Sequence, residues 1–274
     1  MKRTITLAAL ALTVAAAFLC GASASAFDEY NVWPGVAPGE KEDATKPTYE
    51  YWKPENKTSD SLMIVCPGGA YNGLAYGHEG GVIAQYFNSK GITAVVLKYR
   101  VPRREGIPKH MAAWQDAQRC VRVVRSRAEE WGIDPNKIGV MGFSAGGHLA
   151  LMVATTSQTN AYEPIDEIDE LPCHVDFAVP VYPAWVVQFW DSSALSKDFA
   201  FDEKTPPMCL IHGDDDFCTP LGSIAVYKKL RKMNIPAELH IYAKVEHGFG
   251  GSPTDDHLGD WLNRVYNWMS VMGF

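Results

Sequence analysis

The residues of this sequence that could do chemistry centre on a serine flanked by glycines. Ser144 lies in the pentapeptide Gly142-Phe-Ser-Ala-Gly146, which has the pattern GxSxG. An apolar run ending at Met141 precedes it, and His148-Leu-Ala-Leu-Met-Val-Ala154 follows as an apolar helix. A strand, a tight turn and a helix form a nucleophile elbow, in which the serine hydroxyl projects above the sheet. Because the pentapeptide alone also arises by chance, this interpretation depends on finding partners for the serine.

A serine hydroxyl attacks an acyl group when a base takes its proton and an acid orients that base. Downstream of Ser144, a predicted strand at Met208–Ile211 ends in His212-Gly-Asp-Asp-Asp216, which is where the hydrolase chain order places the acid. Asp216 is preferred because of its HGxxDxxxP spacing, and Asp215 is the alternative. A solvated turn with helix-capping carboxylates is the non-catalytic interpretation of the same segment.

The base is expected in the loop after the last predicted strand. Val245-Glu-His247-Gly-Phe-Gly250 sets His247 among glycines, which suits a mobile imidazole that reaches Ser144. The remaining candidates are predicted within a strand, at a strand end under the acid loop, or on the surface (His240, His212, His257 and His110). The sequence therefore predicts a triad of Ser144, His247 and Asp216.

An oxyanion formed in acyl transfer needs two backbone N–H donors that point at the same position. The residue after the nucleophile, Ala145, supplies one of them. The other is expected in Pro67-Gly-Gly-Ala-Tyr71, from the N–H groups of Gly69 and Ala70. An ordinary glycine turn is the alternative for this segment.

The elements around these residues predict an α/β fold with a mostly parallel central sheet and helices on both faces. Continuous apolar runs predict buried strands, and apolar residues at helical spacing predict the helices between them. The predicted strands are Leu62–Cys66, Ile92–Tyr99, Phe177–Tyr182, Met208–Ile211 and Glu238–Tyr242, with an edge strand at Tyr49–Lys53. The predicted helices are Val82–Asn88, Met111–Trp131, Ile224–Met233 and Asp260–Met272.

The N-terminus predicts a signal peptide at residues 1–26, followed by one α/β-hydrolase domain at residues 27–274. Met1-Lys-Arg3 is basic, Ile5–Leu19 is apolar, and Ala24-Ser-Ala26 has the A-x-A form of a cleavage site. A lipoprotein site at Cys20 fits less well, because Leu19 is bulky. We therefore expect a secreted or periplasmic protein.

The charge and the cysteine content of the chain limit the classes of molecule that we expect it to bind. The formal net charge is −7, and removal of the basic N-terminus makes it more negative, which argues against nucleic acid and anionic membranes as partners. Five cysteines follow residue 26, and their spacings match no zinc pattern. We expect most of them to be buried thiols, and the sequence leaves open whether one pair forms a disulfide. The triad chemistry needs no cofactor and no metal.

The motifs together resemble the α/β-hydrolase esterases of the acetyl-esterase and BD-FAE-like group, which includes acetylxylan and feruloyl esterases. The resemblance rests on the segments Cys66-Pro-Gly-Gly-Ala-Tyr71, His78-Glu-Gly80, Asp116-Ala-Gln-Arg119, Trp131-Gly-Ile-Asp-Pro135, Gly142-Phe-Ser-Ala-Gly-Gly-His148 and His247-Gly-Phe249. It covers nearly all of residues 27–274. Ala70 departs from it, because many relatives carry a third glycine there. The resemblance implies an acetyl or feruloyl esterase acting on plant polysaccharide or its fragments.

Segment 183–206 is short for a mobile lid, so we expect a minimal lid and a short acyl substrate on a sugar. Aromatic side chains in this segment could form a substrate wall or simply pack on the domain. The candidate wall residues are Tyr71, His78, Trp185 and Trp190, and for His78 a structural role is equally open. The alternative functions are a serine peptidase of the prolyl-oligopeptidase type and a catalytically dead hydrolase used as a binding protein.

Overall fold

The computed structural model describes residues 26–188, 191–251 and 257–274. The predicted signal peptide lies outside these ranges apart from Ala26, and so does Trp190. Within these ranges, no helix combines the length and the apolar character needed to span a bilayer.

Among the described residues, eight strands form one sheet, and two more form a small hairpin. The ten strands are β1 (Asp28–Asn31), β2 (Thr48–Trp52), β3 (Leu62–Cys66), β4 (Thr93–Lys98), β5 (Ile138–Phe143), β6 (Phe177–Val181), β7 (Val187–Gln188), β8 (Asp191–Leu195), β9 (Met208–Gly213) and β10 (Ala237–Tyr242). The order in the sheet is β1-β2-β4-β3-β5-β6-β9-β10, in which β1 and β2 are antiparallel to their neighbours and the other strands are parallel. This arrangement confirms the predicted α/β class and the mostly parallel sheet.

Seven α-helices are found in the described ranges, and they cover both faces of the sheet. They are α1 (Tyr76–Glu79), α2 (Gly81–Ser89), α3 (Met111–Ser126), α4 (Ala128–Trp131), α5 (Ala145–Thr155), α6 (Leu221–Lys232) and α7 (Trp261–Met272). Successive residues of β3 point to opposite faces, so Ile64 belongs to the core that includes side chains of α3, α5 and α6, whereas Val65 belongs to the core that includes side chains of α2 and α7. Both faces are therefore covered by apolar side chains, which explains why the parallel strands have continuous apolar sequences.

Two expectations about individual elements need correction. The segment around Tyr49–Lys53 is not the edge strand, because β1 pairs with β2 outside it. The polar sequence Asp28-Glu-Tyr-Asn31 lacks the apolar run by which the other strands were found. The long helix predicted over Met111–Trp131 is divided at Arg127 into α3 and α4.

The sheet order decides which loops meet. β5 lies at the centre, with β3 on one side and β6 and β9 on the other. The carboxyl ends of these parallel strands share one edge, so the loops after β3, β5, β9 and β10 converge there. The chain connections reverse direction around β5, and in open α/β sheets such a position is where ligands bind.

Candidate active site

Ser144 stands on a strained turn between β5 and α5. Its backbone angles are φ 53° and ψ −114°, a region that non-glycine residues rarely adopt. A Cβ at Gly142 would lie 1.9 Å from the Gly146 carbonyl oxygen, and one at Gly146 would lie 2.0 Å from the Cys66 carbonyl oxygen. Both flanking positions therefore exclude a side chain, as the elbow requires.

The structure brings the three predicted triad residues together. His247 Nε2 lies 2.8 Å from Ser144 Oγ. His247 Nδ1 lies 2.9 and 2.8 Å from the two carboxylate oxygens of Asp216. A continuous hydrogen-bonded path thus joins the carboxylate to the serine hydroxyl, and its two distances are within the range that general-base catalysis needs.

The three consecutive aspartates differ in burial, and only one of them contacts the imidazole. Asp216 is buried, whereas Asp214 and Asp215 are exposed. The backbone N–H groups of Asp214 and Asp215 donate to the carbonyls of Tyr242 and Val245, which ties the acid loop to the end of β10. The alternative acid Asp215 therefore serves through its backbone, and the carboxylate at His247 is that of Asp216.

The loop after β3 lies directly beside Ser144. A Cβ at Gly68 would be only 3.0 Å from Ser144 Cβ. Gly69 and Ala70 both have positive φ, at 127° and 56°. Among the described residues, the N–H groups of Gly69, Ala70 and Ala145 donate to no protein acceptor. They are therefore free to donate to a ligand, and their predicted role in binding an oxyanion stays a prediction.

The predicted wall residues lie in different environments. Tyr71 is fully buried, whereas Trp185 is exposed. The two rings stack, with their centroids 5.8 Å apart. The Lys109 ammonium lies 3.8 Å from the Trp185 ring centroid. Full burial of Tyr71 leaves no surface for a substrate, which corrects its assignment to the wall.

The two remaining wall candidates are placed elsewhere. His78 is half-exposed, and its Nε2 lies 3.7 Å from Glu79 Oε1. Its carbonyl accepts the N–H of Gly251, which lies four residues after His247. His78 therefore packs against the histidine loop. Trp190 falls outside the described residues.

An exposed phenylalanine borders the imidazole and was not predicted from the sequence. Phe217 follows the acid directly, is 83 % exposed, and its ring centroid lies 4.4 Å from that of His247. An aromatic residue immediately after the proposed acid was the available signal.

A second aspartate–histidine pair lies behind the site. His148 Nδ1 is 2.9 Å from the Tyr71 hydroxyl, and His148 Nε2 is 3.1 Å from Asp198 Oδ2. Burial lowers the pKa of His148, and the hydrogen bond from His148 lowers the pKa of Asp198 to about 2. His110 is also buried here, which corrects its predicted surface position, and burial lowers its pKa to about 4.

This second cluster is one of three groups of side chains in the described residues that could hold a metal ion. The candidate ligand atoms of His110, His148 and Asp198 lie within 4.8 Å of one another. Both nitrogens of His148 already have hydrogen-bond partners, and Lys109 brings a positive charge nearby. These hydrogen bonds account for the positions of His148 and Asp198, and the proposed chemistry uses no metal.

Comparisons with known proteins agree with the fold and the motifs. The BD-FAE family pattern matches residues 50–198, just over half of the chain, and the prolyl oligopeptidase family pattern matches residues 181–272. The solved structure of an acetyl ester-xyloside bifunctional hydrolase from Caldicellulosiruptor lactoaceticus is 31% identical, with a TM-score of 0.76. That alignment covers 90% of this chain and 97% of that chain.

Two curated relatives are similar over most of this chain. An acetylxylan esterase of Xylanibacter ruminicola is 30% identical over 233 residues, covering 79% of this chain and 46% of the relative. The endo-1,4-beta-xylanase B of Butyrivibrio fibrisolvens is 26% identical over 227 residues, covering 77% and 35%. The chain thus spans less than half the length of these relatives. The predicted resemblance and the α/β-hydrolase fold are confirmed, and the chain belongs to the BD-FAE family.

Proposed function

We propose that this protein is a serine esterase that hydrolyses short acyl esters on xylan-type oligosaccharide or polysaccharide. The observation that carries the proposal is the unbroken path from Asp216 through His247 to Ser144 Oγ, beside free backbone donors. Acyl transfer needs these parts together in one place. The names of the relatives support ester hydrolysis, and acetyl groups on xylose-containing substrates are the substrate class those names share.

In the proposed mechanism each group has one role. His247 Nε2 takes the proton of Ser144 Oγ as the oxygen attacks the ester carbonyl. Asp216 holds Nδ1 protonated and stabilises the imidazolium that forms. The N–H groups of Ala145 and of Gly69 or Ala70 bind the oxyanion. His247 then donates its proton to the departing alcohol, and water releases the acid from the acyl-enzyme by the same steps in reverse.

Segment 183–206, the expected position of a lid, is small, and this fits a substrate with a short acyl group. Segment 183–206 holds only the two-stranded β7–β8 hairpin in its described part. Such a segment leaves the serine open to a bulky sugar alcohol rather than enclosing a long acyl chain. Export, which the basic and apolar N-terminus suggests, is part of the same proposal because the polymer substrate is extracellular.

Product analysis tests this proposal. Purified protein is incubated with acetylated xylo-oligosaccharides, with a feruloyl ester of a sugar, and with nitrophenyl esters of two to twelve carbons. We expect release of acetic acid from the oligosaccharide and highest kcat/KM for acetate among the nitrophenyl esters. Best activity on octanoate or longer esters would contradict the short-acyl assignment, and preference for the feruloyl ester would change the acyl group.

A serine peptidase is the second candidate, because the prolyl oligopeptidase family pattern matches residues 181–272. That match covers the segments that carry Asp216 and His247, which esterases and peptidases of this fold share. A matched pair of an ester and an amide with the same acyl group separates the two, and we expect the ester to be hydrolysed at least 10³-fold faster. A fluorophosphonate probe separates both from a dead scaffold, because it labels only an activated serine.

A further inference from the structure

A buried glutamate lies behind the nucleophile and has no role in the triad. Glu79 is 2% exposed and ends the short helix α1. Burial of a carboxylate is costly unless hydrogen bonds compensate for the lost water. Its hydrogen-bond partners therefore indicate why a carboxyl group stands at this position.

Both oxygens of Glu79 accept hydrogen bonds. Oε2 accepts the backbone N–H of Gly68 at 2.7 Å, and Oε1 accepts the hydroxyl of Tyr182 at 2.7 Å. A carboxylate provides two such acceptors, whereas a neutral amide of the same size provides one acceptor and one donor. The two bonds together are specific for the carboxylate.

The first bond fixes the loop that carries the proposed oxyanion donors. Gly68 precedes Gly69 and Ala70, and its Cα is so close to the nucleophile that an added Cβ would lie 3.0 Å from Ser144 Cβ. The same Cβ would lie 2.8 Å from Glu79 Oε2. The carboxylate thus packs directly against this loop and determines where its N–H groups point.

The second bond reaches the loop that carries the base. The Tyr182 hydroxyl, which donates to Glu79, accepts the N–H of Gly250 at 2.9 Å. The Tyr182 ring centroid also lies 4.9 Å from that of His247. In addition, the N–H of Gly251 donates to the carbonyl of His78, the residue before Glu79. One carboxylate therefore connects the histidine loop to the oxyanion loop.

We propose that Glu79 is a positioning residue that holds the oxyanion loop and the histidine loop in register on either side of Ser144. The inference rests on the proposed esterase function and adds to it a residue outside the triad. Catalysis by preorganised donors is sensitive to small displacements, and a misplacement of about 1 Å can cost about 10²-fold in rate.

The test is Glu79→Gln, which keeps the size but can satisfy only one of the two donors. With p-nitrophenyl acetate we expect kcat and kcat/KM to fall together by about 10- to 100-fold, with KM changed less than about twofold. The second-order rate of fluorophosphonate labelling should fall similarly. Tyr182→Phe should also reduce kcat. Because both changes break the same connection, kcat of the double variant should be at most about threefold lower than kcat of the slower single variant.

The matched control is Glu50→Gln. Glu50 is equally buried and accepts a tyrosine hydroxyl, that of Tyr76 at 2.6 Å, but it lies on β2 and contacts no triad residue. Both variants are compared as folded protein, by near-ultraviolet circular dichroism and Tm. We expect folded Glu50→Gln to keep kcat within about twofold of the wild type.

Three outcomes would overturn the inference. They are wild-type kcat in folded Glu79→Gln, an equal loss of kcat in folded Glu50→Gln, and multiplicative losses in the double variant. Each concerns variants of an active esterase. Absence of ester hydrolysis by the wild-type protein would instead contradict the proposed function, so the two failures are distinguishable.

Discussion

Two relays in this molecule consist of an aspartate, a histidine and a hydroxyl, and their burial is opposite. In the first, the Asp216 side chain is buried, and the His247 side chain is 14% exposed beside Ser144. In the second, the His148 side chain is fully buried against Tyr71, and the Asp198 side chain is 32% exposed. The hydrogen-bond distances in the two relays differ by at most about 0.3 Å.

The comparison shows that these contacts alone do not define a catalytic site. A buried carboxylate beneath an accessible imidazole favours an imidazolium at the surface, where a proton must move to and from a substrate. A buried imidazole has its pKa lowered, and here its hydroxyl partner is a fully buried phenol whose pKa is raised well above its ordinary value by burial. The second relay therefore joins Tyr71, at the end of the loop after β3, to His148 on α5, and its imidazole and its phenol are both buried.

The two hydroxyls should differ most. Ser144→Ala removes the nucleophile, and we expect kcat on p-nitrophenyl acetate to fall by about 10⁴-fold or more, because the triad acts as a unit. Tyr71→Phe should cost less than about tenfold. Steady-state kinetics on folded variants check this. Comparable losses in the two variants would remove the distinction between the relays.

The second-largest difference in kcat is expected between the carboxylates of the two relays, Asp216 and Asp198. Asp216→Asn should lower kcat by about 10³- to 10⁴-fold, because an amide no longer fixes the tautomer of His247. Asp198→Asn should lower it by less than about tenfold, and the exposed Asp214→Asn should leave it within about twofold. Kinetics of the three variants on one ester decide the order. A larger loss for Asp214→Asn would move the acid within its loop.

A smaller change in activity is expected from the aromatic rings that contact the two imidazoles. Phe217 leaves most of its surface exposed beside His247, whereas Phe199 is buried against His148. In the proposed mechanism His247 returns its proton to the departing alcohol, which would place Phe217 on the alcohol side of the ester. We expect Phe217→Ala to lower kcat/KM for acetylated xylobiose about fivefold, which corresponds to about 1 kcal/mol of lost apolar contact.

Ethyl acetate forms the same acetyl-enzyme, so its kcat/KM should change less than about twofold in Phe217→Ala. The equally exposed Val271→Ala on α7 is the matched control and should leave both substrates unchanged. An equal loss on both esters would show that Phe217 supports the imidazole and makes no contact with the sugar.

The smallest effect is expected from the titration of His110, which lies beside the second relay. Burial lowers the folded-state pKa of His110 to about 4, so between about pH 6.5 and 4 the unfolded chain binds more protons at this histidine than the folded chain. Its contribution to stability is therefore complete above about pH 6.5 and is lost as the pH falls. Calorimetry should show a Tm difference between pH 7 and pH 5 that is about 2–4 °C smaller in His110→Gln.

The exposed His257→Gln is the control for this measurement and should keep the wild-type difference. An unchanged Tm difference in His110→Gln would mean that its imidazole titrates alike in the folded and unfolded chains.

The sequence predicted what depends on local pattern. Buried parallel strands have continuous apolar runs, and the elbow, the acid loop and the histidine loop each follow such a run, so the residues of the first relay could be named. β1 and the buried position of His110 were missed, because a polar edge strand has no apolar signal and burial depends on tertiary packing. Phe217 and Glu79 required the structure as well, since His247 lies 30 residues from Phe217 and Tyr182 lies 103 residues from Glu79.

The cysteines have a practical consequence. All five in the described residues are free thiols, and only Cys218 is even partly exposed. Burial raises the pKa of both Cys66 and Cys218 to about 12, which keeps them protonated and slow to react at neutral pH. The fold can therefore be produced and handled under reducing conditions. A cysteine introduced at a position as exposed as Val271 would react far faster with maleimides than the native thiols, which would allow a dye or a solid support to be attached at one chosen point.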